Sequence, residues 1–95
     1  MNPFWKLCSG EFAGWSSNEY LYNCTGECIG YFHDKIAADR NGRVIGEIYD
    51  SDRIGYRTGT SYAAYGAVSL CTRKALTPIA NRAGCSVVGW EDPHF

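Results

Sequence analysis

The hexapeptide Thr25-Gly26-Glu27-Cys28-Ile29-Gly30 has one counterpart sixteen residues before it and another sixteen residues after it. The earlier copy is Ser9-Gly10-Glu11-Phe12-Ala13-Gly14, and the later copy is Asn41-Gly42-Arg43-Val44-Ile45-Gly46. A second column of turn-forming residues, also spaced by sixteen, contains Asn18, Asp34 and Asp50. Gly, Asn and Asp supply the backbone conformations that tight turns need. Each unit therefore predicts two turns, which leaves strands of about five or six residues between them.

The segments between these turns have the composition of strands. Tyr20-Leu21-Tyr22, Cys28-Ile29-Gly30-Tyr31-Phe32 and Val44-Ile45-Gly46-Glu47-Ile48-Tyr49 are rich in aromatic and β-branched residues. One hairpin alone is barely stable, but repeated units that pack on each other bury a shared core. We therefore predict a mainly β fold in which short antiparallel hairpins of period 16 surround a pseudo-four-fold centre.

The stretch Leu21-Tyr22-Asn23-Cys24-Thr25-Gly26-Glu27-Cys28-Ile29-Gly30-Tyr31-Phe32 resembles the repeating signature of the bacterial four-fold β-flower domains. Units of those domains have the form Leu-Tyr-Asn-x-x-Gly-x-x-Ile-Gly-aromatic. The next unit, Asp39-Arg40-Asn41-Gly42-Arg43-Val44-Ile45-Gly46, follows the pattern less closely, and the resemblance covers roughly residues 4–57. It implies hairpin petals around a pseudo-four-fold axis. It implies no activity and no catalytic residue.

A chain of 95 residues has the length of one domain, which we assign to residues 1–95. The predicted repeat units are 4–19, 20–35 and 36–51, with a degenerate last unit near 81–92 and an insertion over about 58–80. Within this insertion one short helix is possible near 61–75, because Thr60 or Ser61 is a suitable N-cap and Pro78 lies beyond the end. Gly66, Val68 and Thr72 are poor helix formers, so a strand with a loop is the alternative.

The charge balance disfavours nucleic acid as a partner. Nine Lys and Arg residues oppose ten Asp and Glu residues, for a net charge of −1, whereas binding to phosphates normally requires a basic excess. No run of about 18 apolar residues is present, so we expect no membrane partner. The N-terminus does not resemble a signal peptide. If Met1 is the native start, we expect a cytoplasmic protein whose five cysteines are reduced.

No motif points to catalysis. Cys24 and Cys28 have three residues between them, but Cys71 and Cys85 lack the paired spacing of a zinc site. His33 and Asp34 are adjacent, and adjacent strand residues point to opposite faces. We therefore predict a protein that is not an enzyme and that has no metal site and no cofactor.

Aromatic residues make up 15% of the chain, more than a core of this size is expected to cover. Exposed Tyr, Trp and Arg side chains are typical of binding surfaces. The sequence thus favours a non-enzymatic binding or interaction domain. The alternative is an accessory protein that sequesters a small anionic, nucleotide-like ligand, and a homodimer is possible. The candidate binding residues are Tyr31, Arg40, Arg43, Tyr49, Arg53, Tyr56 and Arg57. The alternative is that these side chains are solvated surface groups without a binding role.

Overall fold

The computed structural model describes residues 1–95 and contains eight β-strands and no helix. The strands are β1 Asn2–Lys6, β2 Phe12–Ser17, β3 Tyr20–Asn23, β4 Cys28–His33, β5 Ile36–Ala38, β6 Val44–Asp50, β7 Arg53–Arg57 and β8 Trp90–Glu91. The mainly β prediction is confirmed. No part of the chain forms a helix with the length and apolar character needed to cross a membrane.

The first seven strands form a closed sheet. Each strand from β1 to β7 pairs with the next in antiparallel orientation, as expected for strands joined by short turns. The circle is closed by a parallel pairing of β1 with β7, in which Trp5 lies opposite Arg53 and Lys6 lies opposite Ile54. β8 lies outside the circle and pairs with β7 through Tyr56 and Arg57. Closure pairs both edges of each of the seven strands with a neighbour. The end of β7 that extends beyond β1 pairs with β8.

The main core lies at the centre of this closed sheet, and every strand of the circle contributes one buried side chain to it. These residues are Phe4, Ala13, Leu21, Phe32, Ala37, Ile45 and Ile54. Phe4 of β1 and Phe32 of β4 lie on strands that do not pair, yet their ring centroids are 5.7 Å apart. The core therefore joins all seven strands, so that no hairpin is buried by its own residues alone.

Two of the three predicted turns in the Asn and Asp column have the expected backbone geometry. Asn18 and Asp34 have φ angles of 51° and 56°, which are values of the left-handed region that Asn and Asp tolerate. Asp50 instead ends β6 and accepts a hydrogen bond from the Ser51 amide at 2.8 Å. The third unit thus differs from the first two, and the pseudo-four-fold arrangement of period 16 remains a prediction.

A second aromatic cluster covers the outer face of β1 and β2. It consists of Trp5, Phe12 and Trp15, with Cys24 and Leu76 packed against it. Phe12 meets both tryptophans edge to face, at centroid distances of 5.7 and 4.6 Å. These large rings are buried outside the closed sheet because a distant part of the chain lies over them.

That covering segment, residues 58–89, has no helix and no strand, and we call it the strap. The helix that the sequence suggested near 61–75 is wrong. The strap's amides donate to turns of the sheet instead of to one another: Tyr65 to the Gly42 carbonyl, Lys74 to Gly26 and Arg82 to Gly10, each at 2.8 Å. A helix would need those same amides for its own i to i−4 bonds.

The three accepting residues are the glycines at the second position of the repeated hexapeptides. Gly26 has a φ of +86°, and a Cβ at this position would lie 1.9 Å from the Lys74 carbonyl oxygen. Gly42 has a φ of +85°, with the Tyr65 carbonyl oxygen 1.8 Å from its Cβ position. These positions require glycine both for the turn and for close approach of the strap.

The C-terminal segment returns to the sheet beside the first turn. The Asp92 carboxylate accepts hydrogen bonds from the amides of Cys8 and Ser9, at 2.8 and 3.2 Å. The His94 amide donates to the Ile45 carbonyl at 2.8 Å, and Phe95 packs on the main core. In the region of the predicted last unit, only Trp90–Glu91 forms a strand.

Candidate functional site

One pocket opens on the surface where the start of the strap passes the β5–β6 turn and β7. Its volume is about 290 Å³, close to the lower limit for pockets that bind small molecules. It is lined by Asn41, Arg43, Val44, Tyr56, Tyr62, Ala63 and Ala64. The lining therefore combines an apolar floor with one guanidinium, one amide and two phenol groups.

Tyr56 and Tyr62 form the aromatic side of the pocket, and His94 supports Tyr56 from outside the lining. The Tyr56 ring lies parallel to the His94 ring, with centroids 3.7 Å apart and an angle of 14°. Tyr62 meets Tyr56 edge to face at 5.0 Å. Tyr56 is thus held between a residue of the C-terminal segment and a residue of the strap, and such contacts fix ring orientation.

The hydroxyl of Tyr62 anchors the strap at this site. It donates to Oε1 of Glu47 at 2.7 Å and accepts the Arg57 amide at 3.2 Å. Burial, followed by the contact with Glu47, raises the pKa of Tyr62 to about 12, although the Arg57 amide has an opposing effect. The phenol therefore remains neutral well above physiological pH and keeps its hydrogen bond to the carboxylate.

Arg43 supplies the positive charge of the pocket. Its backbone amide donates to Oδ1 of Asp39 at 3.0 Å, which fixes the turn that carries it. The side chain is exposed and takes part in none of the three ion pairs of the molecule. Arg57, on the neighbouring strand, is bound to Glu47 at 3.0 Å. Arg43 is consequently the guanidinium that is open to a ligand at this pocket.

The structure brings together two of the seven predicted binding residues, Arg43 and Tyr56, in this pocket. A second pair meets at Trp90: the ring of Tyr49 contacts it edge to face at 5.1 Å, and the Arg57 guanidinium lies 5.2 Å from its centroid. Tyr49 remains 46% exposed. This group, Tyr49, Arg57 and Trp90, is the Trp90 patch.

The other three predicted residues lie elsewhere. Arg53 donates from Nη1 to the Ala83 carbonyl at 2.8 Å and so holds the strap. Arg40 accepts the Val68 amide through its carbonyl oxygen at 3.0 Å. Tyr31 donates its hydroxyl to Oε2 of Glu19 at 2.7 Å, and this bond is the main cause that raises the pKa of Tyr31. The seven residues do not form one site.

Sequence reasoning missed Asn41, Tyr62 and His94. Asn41 belongs to the third hexapeptide, where its residue type indicates a turn, and His94 lies beyond the predicted last unit near 81–92. Tyr62 fell in the segment for which a helix was considered, so its distance from Tyr56 was not evident. The one available signal was the density of tyrosines in the insertion, since Tyr62 and Tyr65 both make ring contacts with the sheet domain.

The pocket lining carries no thiol, imidazole or carboxylate. Elsewhere in the molecule no group of three or more His, Cys, Asp and Glu residues is arranged to hold a metal ion. The arrangement at the pocket is suited to contacts with an anion that carries a flat ring, since guanidinium groups bind oxyanions and the Tyr56 and Tyr62 rings offer aromatic contacts beside Arg43. One face of Tyr56 is already covered by His94.

Comparison of the chain with protein-family models, curated proteins and solved structures found no match. Any statement about function therefore depends on the geometry and chemistry of the pocket and its surroundings.

Proposed function

We propose that this protein is a non-enzymatic binding domain that takes a small anionic ligand with a flat ring, such as a nucleotide, in the pocket between the strap and the sheet. The observation that carries this proposal is the combination of Arg43, which has no ion-pair partner, with the Tyr56 ring in one pocket. The guanidinium offers paired donors for phosphate oxygens, and the aromatic side offers ring contacts.

A binding role fits the lining better than catalysis. Covalent catalysis needs a nucleophile beside a base, and acid–base catalysis needs a group that titrates near the working pH. The two phenols and the guanidinium of Tyr56, Tyr62 and Arg43 do not provide such a pair. Tyr62 is instead held neutral by its surroundings, with a pKa of about 12.

The direct test is calorimetry with adenosine monophosphate, with adenosine and inorganic phosphate as separate probes. We expect adenosine monophosphate to bind more tightly than either part, and Arg43→Gln to weaken binding by about tenfold, since a lost charged contact is worth about 1.4 kcal/mol or more. Arg40→Gln is the matched control, because Arg40 is exposed but does not line the pocket.

Two results would overturn the ligand proposal. One is the absence of binding heat for all three probes at millimolar concentration. The other is equal weakening by Arg43→Gln and Arg40→Gln, which would indicate a general effect of charge. Native mass spectrometry of the purified protein is the companion measurement, because mass in excess of a multiple of 10.5 kDa would reveal a ligand that copurifies.

A protein partner is the second candidate, and the Trp90 patch favours it. Tyr, Trp and Arg side chains that contact one another at the surface are over-represented among residues that dominate protein interfaces. A pull-down that compares the native protein with Tyr49→Ser tests this role. Loss of a specific partner in the variant would support it, and identical recovery would count against the patch. The mass spectrum also tests whether the partner is a second copy of the chain.

A further inference from the structure

The strap passes β4 at a fixed position. On one side of Cys71, the Val68 amide donates to the Arg40 carbonyl at 3.0 Å. On the other side, the Lys74 amide donates to the Gly26 carbonyl at 2.8 Å, and Nη1 of Arg73 donates to the Thr25 carbonyl at 2.8 Å. Because these bonds hold the strap on both sides, Cys71 is kept beside the start of β4.

The residue at the start of β4 is Cys28, which is buried, whereas Cys71 is exposed. The backbone amide and the thiol of Cys71 lie close enough to the Cys28 thiol to influence its pKa. Burial and the nearby Cys71 thiol raise the pKa of Tyr22, which places the Tyr22 hydroxyl near the same thiol. Two cysteines that are 43 positions apart in the sequence are thus close in space, and one is exposed whereas the other is buried.

We propose that Cys28 and Cys71 form a disulfide bond that ties the strap covalently to β4, with a small-molecule disulfide such as glutathione disulfide as the oxidant. The Cys71 thiolate attacks one sulfur of glutathione disulfide, which gives a mixed disulfide and one released glutathione. The Cys28 thiolate then attacks the Cys71 sulfur and expels the second glutathione. The protein loses two protons and two electrons, and one glutathione disulfide becomes two glutathione molecules.

Accessibility sets the order of the two steps. Cys71 meets the oxidant first because it is exposed, and burial raises the pKa of the Cys28 thiol, which lowers its reactivity toward reagents in solution. The Cys71 amide partly offsets the effect of burial, and it favours the Cys28 thiolate at the point where that thiolate must attack. The bond would fix a segment that otherwise depends on scattered hydrogen bonds.

The chain offers internal comparisons for a test. Cys24 packs against the outer aromatic cluster, and Cys24→Ser is the matched control. Cys85 is the other strap cysteine; its amide donates to the Leu7 carbonyl at 2.9 Å, and its thiol lies near Cys8. A Cys8–Cys85 bond is therefore the competing product.

The experiment treats the reduced full-length protein with glutathione disulfide, alkylates the remaining thiols, and maps the peptides by mass spectrometry. We expect a peptide pair linked through Cys28 and Cys71, which disappears in Cys71→Ser and persists in Cys24→Ser. We also expect trypsin to cleave the oxidised strap after Arg73 and Lys74 about tenfold more slowly than the reduced strap, because the cross-link opposes local opening.

Persistent glutathione on Cys71 without closure would overturn the proposal. A linked product confined to Cys8 and Cys85 would overturn it as well. Since Cys71 is exposed, Cys71→Ser is expected to fold, so the test does not depend on replacing the buried Cys28.

Discussion

The closed sheet, residues 2–57, and the strap, residues 58–89, are stabilised by different interactions. All fifteen buried hydrophobic side chains lie between Phe4 and Ile54, and no strap residue is buried. The strap is held by backbone hydrogen bonds to turns and by a few partly buried side chains such as Leu76. Burial of apolar area is the larger source of stability. We therefore expect the sheet to unfold as one cooperative unit and the strap to open locally at lower cost.

The largest difference in stability between the two regions should appear when a core residue of the sheet is truncated. Leu21 is fully buried at the centre of the sheet, and Leu21→Ala should lower the free energy of unfolding by about 3 kcal/mol through lost burial and the resulting cavity. Urea denaturation measures this change. The control is Ile79→Ala, at a strap residue that is 42% exposed, with an expected change within about 0.5 kcal/mol. Similar losses at both sites would show that strap and sheet share one core.

A methyl group at Gly26 should separate the strap from the sheet. Gly26→Ala places a Cβ against the Lys74 carbonyl at a φ of +86°, so the strap must move away. The free energy that holds the strap on the sheet should fall by about 2 kcal/mol. Limited trypsin digestion should then cleave after Arg73 and Lys74 faster, with slow amide exchange in the sheet unchanged. Gly66→Ala is the control, because no atom lies within 4 Å of its Cβ position. Equal cleavage of both variants would contradict the role of Gly26.

A smaller effect is expected at the contact between the strap and the outer aromatic cluster. Oδ1 of Asn81 accepts the amide of the buried residue Phe12 at 2.8 Å. Asn81→Ala leaves the Phe12 amide without a partner and should lower the free energy of unfolding by about 1.5 kcal/mol. Hydrogen exchange at Phe12 should accelerate in the variant, whereas exchange at Leu21, in the main core, should change only with global stability. An unchanged Phe12 rate would mean that the strap does not protect this strand.

The smallest effect depends on pH and concerns the first anchor of the strap. The folded protein holds the pKa of Tyr62 at about 12, above its ordinary value of 10. The neutral Tyr62 phenol therefore contributes to the free energy of unfolding, and this contribution is fully present below pH 10 and is lost as the pH rises toward 12. Tyr62→Phe should therefore cost about 1 kcal/mol near neutral pH, and it should reduce the loss of stability between about pH 10 and 12.

Tyr49→Phe is the control for that measurement, since the Tyr49 side chain is half exposed and its hydroxyl makes no hydrogen bond in the molecule. Urea titrations at several pH values would show the difference. If Tyr62→Phe follows the native curve through the alkaline range, Glu47 and Tyr62 do not hold the strap as described.

The sheet was predictable from the sequence because its pattern is local. Turn residues such as Gly26 and Asp34, with strand-forming residues between them, specify hairpins over short distances. The closing pair of β1 and β7 left no comparable signal, because a parallel pairing depends on contacts between distant residues. Nor did the sequence reveal that the third turn of the column, at Asp50, differs from the first two.

The strap was not predictable for a related physical reason. Its amides bond to carbonyls of Gly10, Gly26 and Gly42, and main-chain bonds leave no characteristic side-chain pattern. Its composition around Tyr62 therefore allowed a helix. The candidate site was found only in part, since Arg43 and Tyr56 belong to the recognisable repeat region, whereas the three strap residues that complete the pocket, Tyr62, Ala63 and Ala64, do not.

The order in which the strap bonds to the sheet links the lengths of the two regions. Tyr65, Lys74 and Arg82 meet Gly42, Gly26 and Gly10 in reverse sequence order, so steps of nine and eight strap residues match steps of sixteen residues in the sheet. An insertion or deletion in one region would shift these strap amides away from the glycine carbonyls that accept their hydrogen bonds. In evolution, the gain or loss of a unit should therefore be accompanied by a compensating change of eight or nine residues in the strap, and relatives of different length should show the two changes together.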